Sequence, residues 1–179
     1  MKNIKLTVSM LLNLCLVMTS AILTGCGGGD DDEGHEGPQP TAITIASNAD
    51  ATGHGHDMQL ILNDFSNPPA GVTSYTSTAT DAHTHDLTLT NTELADVYGG
   101  QNMDATSSVA GAPAHSHVWT IHSGNILYKQ NCERCHGSDE LGTSANRISA
   151  AIAANRGGMG DLSFLTPAQI QAISTSNSL

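Results

Sequence analysis

Two sets of residues in this chain have the types and spacing to do chemistry. The first is Cys132-Glu133-Arg134-Cys135-His136. Two thiols three positions apart near a helix end point to one side. They can add across the two vinyl groups of one porphyrin, and the adjacent imidazole then reaches the iron. Two other chemistries use a C-x-x-C pair. Zinc needs two more ligands, and Cys26 is the only other cysteine beyond the leader. A thioredoxin-like dithiol belongs in a strand–helix–strand unit, which the surrounding pattern lacks. The motif is read as covalent haem c at Cys132 and Cys135, with His136 as the proximal iron ligand.

The second set is three histidine pairs, His54/His56, His83/His85 and His115/His117. Residues two apart on a strand share a face, so each pair would present both imidazoles together. Three pairs side by side would offer six nitrogens to Cu, Zn or Fe, all of which imidazole suits. Asp57 and Asp86 follow two of the pairs and fall on the opposite face, where they could only support a ligand from behind. The competing reading is a repeat that copies surface histidines with no ligand at all.

The elements that must position these residues change character along the chain. Residues 41–122 are rich in Thr, Ser, Ala and Gly and hold eight acidic residues with no Lys or Arg. Alternating stretches predict strands over 41–45, 58–62, 87–90 and 118–121. The histidine pairs open a repeat at spacings of 29 and 32 residues, with a third copy that stops after Ile121. Each copy would be a strand, a short polar segment able to form a helix, a turn and a second strand. From Ser123 the period becomes helical, with helices expected to about Cys132, over 144–155, and from the Thr166-Pro167 cap through Ile173.

The beginning of the chain is of another kind. A short basic stretch and an apolar run over 6–23 read as an export signal covering residues 1–25. Its end, Leu23-Thr24-Gly25-Cys26, resembles the lipobox of bacterial lipoproteins and implies lipid on the Cys26 sulfur. The Gly- and Asp-rich stretch 26–40 cannot bury a core and reads as a solvated tether. Calcium on its acidic run is the lesser alternative. The formal net charge is −11, and only four basic residues remain beyond the leader. That balance excludes nucleic acid and favours cations or basic proteins as partners.

Residues 124–175 resemble class I c-type cytochromes. The matching residues are Gly124, Tyr128, Cys132, Cys135, His136, Gly137, Asn155, Gly157-Gly158-Met159, Leu165-Thr166 and Ile170. The resemblance implies a Gly on the first helix, Gly124, that lets the last helix cross closely, and an aromatic one turn later, Tyr128, packing on it, with Ile170 and Ile173 as the partners of both. It also implies Met159 as the distal iron ligand, with His122 the next candidate. A Met/His pair raises the potential relative to two histidines and fills both axial positions, which suits electron transfer. The chain departs from the family in its short span between Gly137 and Met159.

The expected architecture is therefore a β-rich histidine-pair repeat domain over 41–122, then a small all-α cytochrome c domain over 123–179. The expected function is a haem c electron-transfer lipoprotein of the cell envelope, facing the periplasm or exterior, with the outer membrane favoured. Its partners would be redox proteins and, through the lipid, a membrane. Two alternatives stand beside it: a subunit feeding electrons to a metalloenzyme with Cu or Fe on the histidine pairs, and a metal-binding or sensing lipoprotein.

Overall fold

A computed structural model describes residues 38–49 and 53–177. The leader, the lipid site at Cys26 and the tether up to residue 37 lie outside them. Among the described residues no helix is long and apolar enough to cross a membrane.

Three strand pairs organise the molecule. Strands β1 (Ala42–Ala46) and β2 (Asp57–Ile61) pair antiparallel, as do β3 (Val72–Thr76) with β4 (Asp86–Thr90) and β5 (Met103–Thr106) with β6 (Val118–Ile121). Each pair runs into a helix: α1 (Leu62–Ser66), α2 (Asn91–Tyr98) and α3 (Ser123–Asn131). The repeat is thus a strand–strand–helix unit that begins one strand earlier than the histidine spacing suggests. Its third copy is complete, with α3 as its helix.

The units close into a ring. Thr78 donates its backbone N–H to the Asp57 carbonyl of the unit before, Ser108 does so to Asp86, and Asn48 of the first unit reaches Val118 of the third. Period-2 alternation supplies the inner face. Met58 and Leu60, Leu87 and Leu89, and Trp119 and Ile121 are all buried at matching positions. Phe65, Leu94, Val97 and Ile126 cover them from the helices in one continuous core.

The C-terminal part adds α4 (Glu133–His136), α5 (Ala145–Ala153), a 3-10 segment (Arg156–Leu162) and α6 (Pro167–Ile173). Thr166 caps α6, accepting from the Gln169 backbone N–H while the Gln169 side chain accepts in return, with Pro167 in the first turn. Helices α3 and α6 cross where Gly124 sits. A Cβ there would collide with the Ala172 carbonyl oxygen, so only glycine permits this approach. The close crossing places Gly124 against Ala172, while Tyr128, one turn later, shares a buried cluster with Ile170 and Ile173.

The expectation of a β-rich domain and a separate all-α cytochrome domain is overturned. The described residues form a mixed α/β structure of short antiparallel strand pairs and short helices. Helix α3 belongs to both parts: Ile126 packs in the repeat core, whereas Leu127 and Tyr128 pack in the C-terminal one. Ser123 donates its hydroxyl to the Val97 carbonyl and Gln169 donates to Tyr98. A boundary drawn at 122/123 cuts through packed structure. The change of hydrophobic period there marks a change of element within the third unit.

Candidate metal centre and adjoining cleft

The histidine pairs lie just before β2, β4 and β6, on the stripe that continues the buried side of each strand. The inner set, His56, His85 and His117, is buried. It rests on the layer of Met58, Leu87 and Trp119, and the His117 and Trp119 rings are 5.9 Å apart. The outer set, His54, His83 and His115, is partly exposed. Five of the expected side chains, His54, His56, His83, His115 and His117, bring ligand atoms together, and the ring of His85 packs against those of His56, His83, His115 and His117.

The local sequence makes this repeatable. Ser47, Ser77 and Ser107 directly follow the first strand of each pair. Their hydroxyls accept the backbone N–H of His56, His85 and His117 at 2.9, 2.9 and 3.1 Å. Each inner imidazole then donates Nδ1–H to a main-chain carbonyl of another unit: His56 to Thr78 at 2.8 Å, His85 to Ser108 at 2.9 Å and His117 to Asn48 at 3.2 Å. A carbonyl can only accept, so Nδ1 carries the proton and Nε2 turns a lone pair inward. Buried Nε2 atoms of His56 and His85 have no hydrogen-bond partner. In the outer set, Nδ1 of His83 donates to Asp81 O at 3.2 Å and that of His115 to Pro113 O at 2.7 Å.

The outer Nε2 atoms then face one another. His54–His83, His83–His115 and His115–His54 are 3.3, 3.1 and 3.2 Å apart. With the Nδ1 protons committed to carbonyls, His83 and His115 bring two lone pairs together, which repel unless a cation stands between them. An ion about 2.1 Å from each nitrogen sets adjacent ligands about 3.0 Å apart in an octahedron and about 3.4 Å in a tetrahedron. The observed spacing falls in that window. One ligand atom from each of His54, His56, His83, His115 and His117 lies within 4.8 Å of all the others, so these five can hold a metal ion. Burial first, and then the charges of His117, His56 and His115, hold His85 below the usual imidazole range, against the raising effect of its bond to Ser108. That keeps a lone pair available near neutral pH.

The carboxylates behave as their alternation requires. Asp57 and Asp86 are exposed, and Asp86 accepts from Thr76 at 2.6 Å on the outer face. They do not support the imidazoles; the main-chain carbonyls do. Among the described residues, Asp81 brings a carboxylate near the site, 3.9 Å from His54 Nδ1 and largely exposed. Gly111 completes the mouth. A Cβ there would meet the His115 ring at 2.6 Å and His83 Nε2 at 3.1 Å. Neither Asp81 nor Gly111 stands out in the sequence, because each lies in a loop whose length differs between copies. The serines at 47, 77 and 107 do carry a signal, in their even spacing of 30 residues.

The second constellation lies in the C-terminal part. Cys132 ends α3 and its carbonyl accepts from the backbone N–H of both Cys135 and His136, so the motif is a single helical turn. A cleft of about 290 Å³ opens beside it, with Tyr128, Cys132 and His136 among its lining residues together with Ile148, Met159 and Leu165. Burial pushes the Cys132 thiol up to about 12. Cys135 is exposed and outside this lining. Met159 sits in a turn that requires glycine, since Gly157 and Gly158 have φ of 55° and 83°. Asn155 Oδ1 accepts from Gly160 N at 2.8 Å and fixes that turn. His122 lines a different cleft, against β1 and Asn125, so it does not compete with Met159.

Comparison with protein-family models, with curated proteins and with solved structures finds no match. What the chain does has to be read from these two sites.

Proposed function

We propose that this chain is a haem c-carrying electron-transfer protein of the cell envelope, tethered by lipid on Cys26, with a transition metal on its histidine pairs. The observation that carries the haem reading is the cleft. Cys132 and His136 line it, Met159 lines it too, and the rest of its wall is largely apolar. Haem supplies the one-electron couple when bound. Cys132 and Cys135 would hold it covalently, His136 and Met159 would offer one nitrogen and one thioether, and Tyr128, Ile148 and Leu165 would keep water from its faces. Arg147 and Arg156, two of the four cations beyond the leader, also line the cleft and suit a ligand with an acidic edge. Cys132, His136 and Met159 fit the group, whereas Cys135 lies outside the cleft lining and is disulfide-bonded here, so its sulfur must be released before it could hold a vinyl carbon.

Acid-acetone extraction of the purified protein tests attachment. Colour should stay with the polypeptide, and its removal would sink the reading of Cys132 and Cys135. Met159→Ala should abolish the thioether–iron absorption band of the ferric form and lower the midpoint potential. An unchanged spectrum would remove Met159 from the iron.

The metalloenzyme alternative is the weaker reading. An enzyme needs an open coordination position, and five imidazoles with ligand atoms within 4.8 Å of one another favour a ligand-filled ion instead. A lipid anchor follows from the Cys26 motif alone, and labelled fatty acid entering the wild type but not Cys26→Ala is the result expected.

A further inference from the structure

The six rings are arranged in a pattern that specifies more than metal binding. Every pair of imidazoles has its centroids 4.7–5.2 Å apart, at steep angles, except three. The exceptions are His54–His85, His83–His117 and His115–His56. No histidine occurs twice among them, so each ring touches four others and has one opposite. That is the adjacency of an octahedron. A trigonal prism would place each outer ring directly over one inner ring. Here each outer ring lies opposite an inner ring of the next unit, so the two triangles are staggered.

Resting on the reading that these pairs bind metal, we propose that all six Nε2 atoms close round one divalent first-row ion as a six-coordinate, all-nitrogen shell with no open position, His85 joining the five whose ligand atoms already lie within 4.8 Å of one another from its place among the rings of His56, His83, His115 and His117. The ligands are neutral, and Asp81, the carboxylate near them among the described residues, is exposed at the rim. Six neutral donors favour a 2+ ion over its 3+ form. Staggered triangles suit ions that accept octahedral geometry, such as Fe(II), Co(II) or Ni(II). Zinc prefers four ligands and copper(II) a tetragonal set, so each would leave imidazoles unused. A closed shell binds no substrate. The ion clasps the three units together, each contributing two ligands, and the electron traffic stays with the Cys132 cleft.

The test is cobalt(II) added to the full-length, haem-loaded protein after chelation. One equivalent should bind and give the weak absorption of a six-coordinate centre, and added azide should leave it unchanged. His54→Ala, at the partly exposed mouth, should still bind cobalt but respond to azide, because one position has opened. An intense blue four-coordinate spectrum, or an azide response in the wild type, would overturn the closed shell while leaving a metal site in place. No cobalt retained would overturn the site itself and leave the haem reading untouched. A His54→Ala protein as indifferent to azide as the wild type would remove His54 from the shell and overturn the proposal.

Discussion

The two halves of this molecule hold their candidate ligands in opposite ways. Around the histidines, the supports are non-local and cyclic: each inner imidazole is oriented by a carbonyl of another unit, and the apolar layer beneath is complete without any ligand. Around the cleft, the supports are local turns, and the core is itself the cleft wall. Tyr128, Cys132, Ile148, Leu165 and Ile173 are buried in the C-terminal cluster and also line the cleft. A ring that buries its own core can wait for its ion. A segment whose core residues border a cavity depends on what fills that cavity, because so few residues bury little surface alone.

The largest expected effect comes from this asymmetry. In a Cys132→Ser/Cys135→Ser variant, which cannot hold haem covalently, backbone amides of α5 and α6 should exchange with solvent far faster than in the haem-loaded protein. Amides of the three strand pairs should keep their protection. Hydrogen exchange read by mass spectrometry makes the comparison directly. Equal loss in both halves would mean that they unfold as one unit.

The sequence disclosed the two halves unequally. The histidine pairs, their shared face and their outward aspartates were legible because period 2 fixes which side a residue takes. The strands β1, β2, β4 and β6 and the helices α3, α5 and α6 were legible from period and caps. The ring closure was not, because hydrogen bonds from Asn48 to Val118 or from His117 to Asn48 join distant residues through main-chain atoms that no side chain advertises. The sharing of α3 between the two cores was hidden for a related reason. Helix α3 reads as the first helix of the C-terminal part, but its Ile126 completes the core of the repeat.

Because α3 is shared, Gly124 is where the comparison can be broken. Gly124→Val places a side chain against the Ala172 carbonyl and within 3.2 Å of Ser176 N, both backbone and unable to yield. Overpacking of this kind costs about 1–3 kcal/mol. The melting temperature should fall by several degrees and the C-terminal helices should lose most protection. Cobalt affinity of the histidine site should change little, since β6 reaches the ring from the other side of α3. A matching loss of metal affinity would show that the ring relies on the crossing.

Acid should separate the halves more gently. His85 is held below the ordinary imidazole range in the folded protein, so between the two values the unfolded chain binds more protons. Its contribution is complete above about pH 6.5 and is lost as pH falls toward the depressed folded value. With chelator present, the ring should therefore soften as pH falls from 7 to 5, and His85→Gln should flatten that slope. A slope unchanged by the substitution would assign it to other groups.

The smallest effect compares two helix caps of one design. Thr90 caps α2 with Glu93 and Thr166 caps α6 with Gln169, each threonine hydroxyl accepting an N–H at 3.2 Å. Removing either hydroxyl by Thr→Ala should cost about 1 kcal/mol at neutral pH. The two should part on acidification. The bonds from the Thr90 backbone and hydroxyl, in that order, hold the Glu93 carboxyl below its usual range. That stabilisation is present above the unfolded carboxyl value, about 4.3, and is lost as pH falls through the lower folded value. Gln169 carries no proton to gain. Urea midpoints at pH 7 and pH 3.5, each taken as variant against wild type, should show the Thr90→Ala cost shrinking in acid and the Thr166→Ala cost holding steady. If both shrink alike, the capping carboxylate is not what distinguishes them. The link from Gln169 to the Tyr98 carbonyl, 2.9 Å across the shared interface, would then be the contact to remove next.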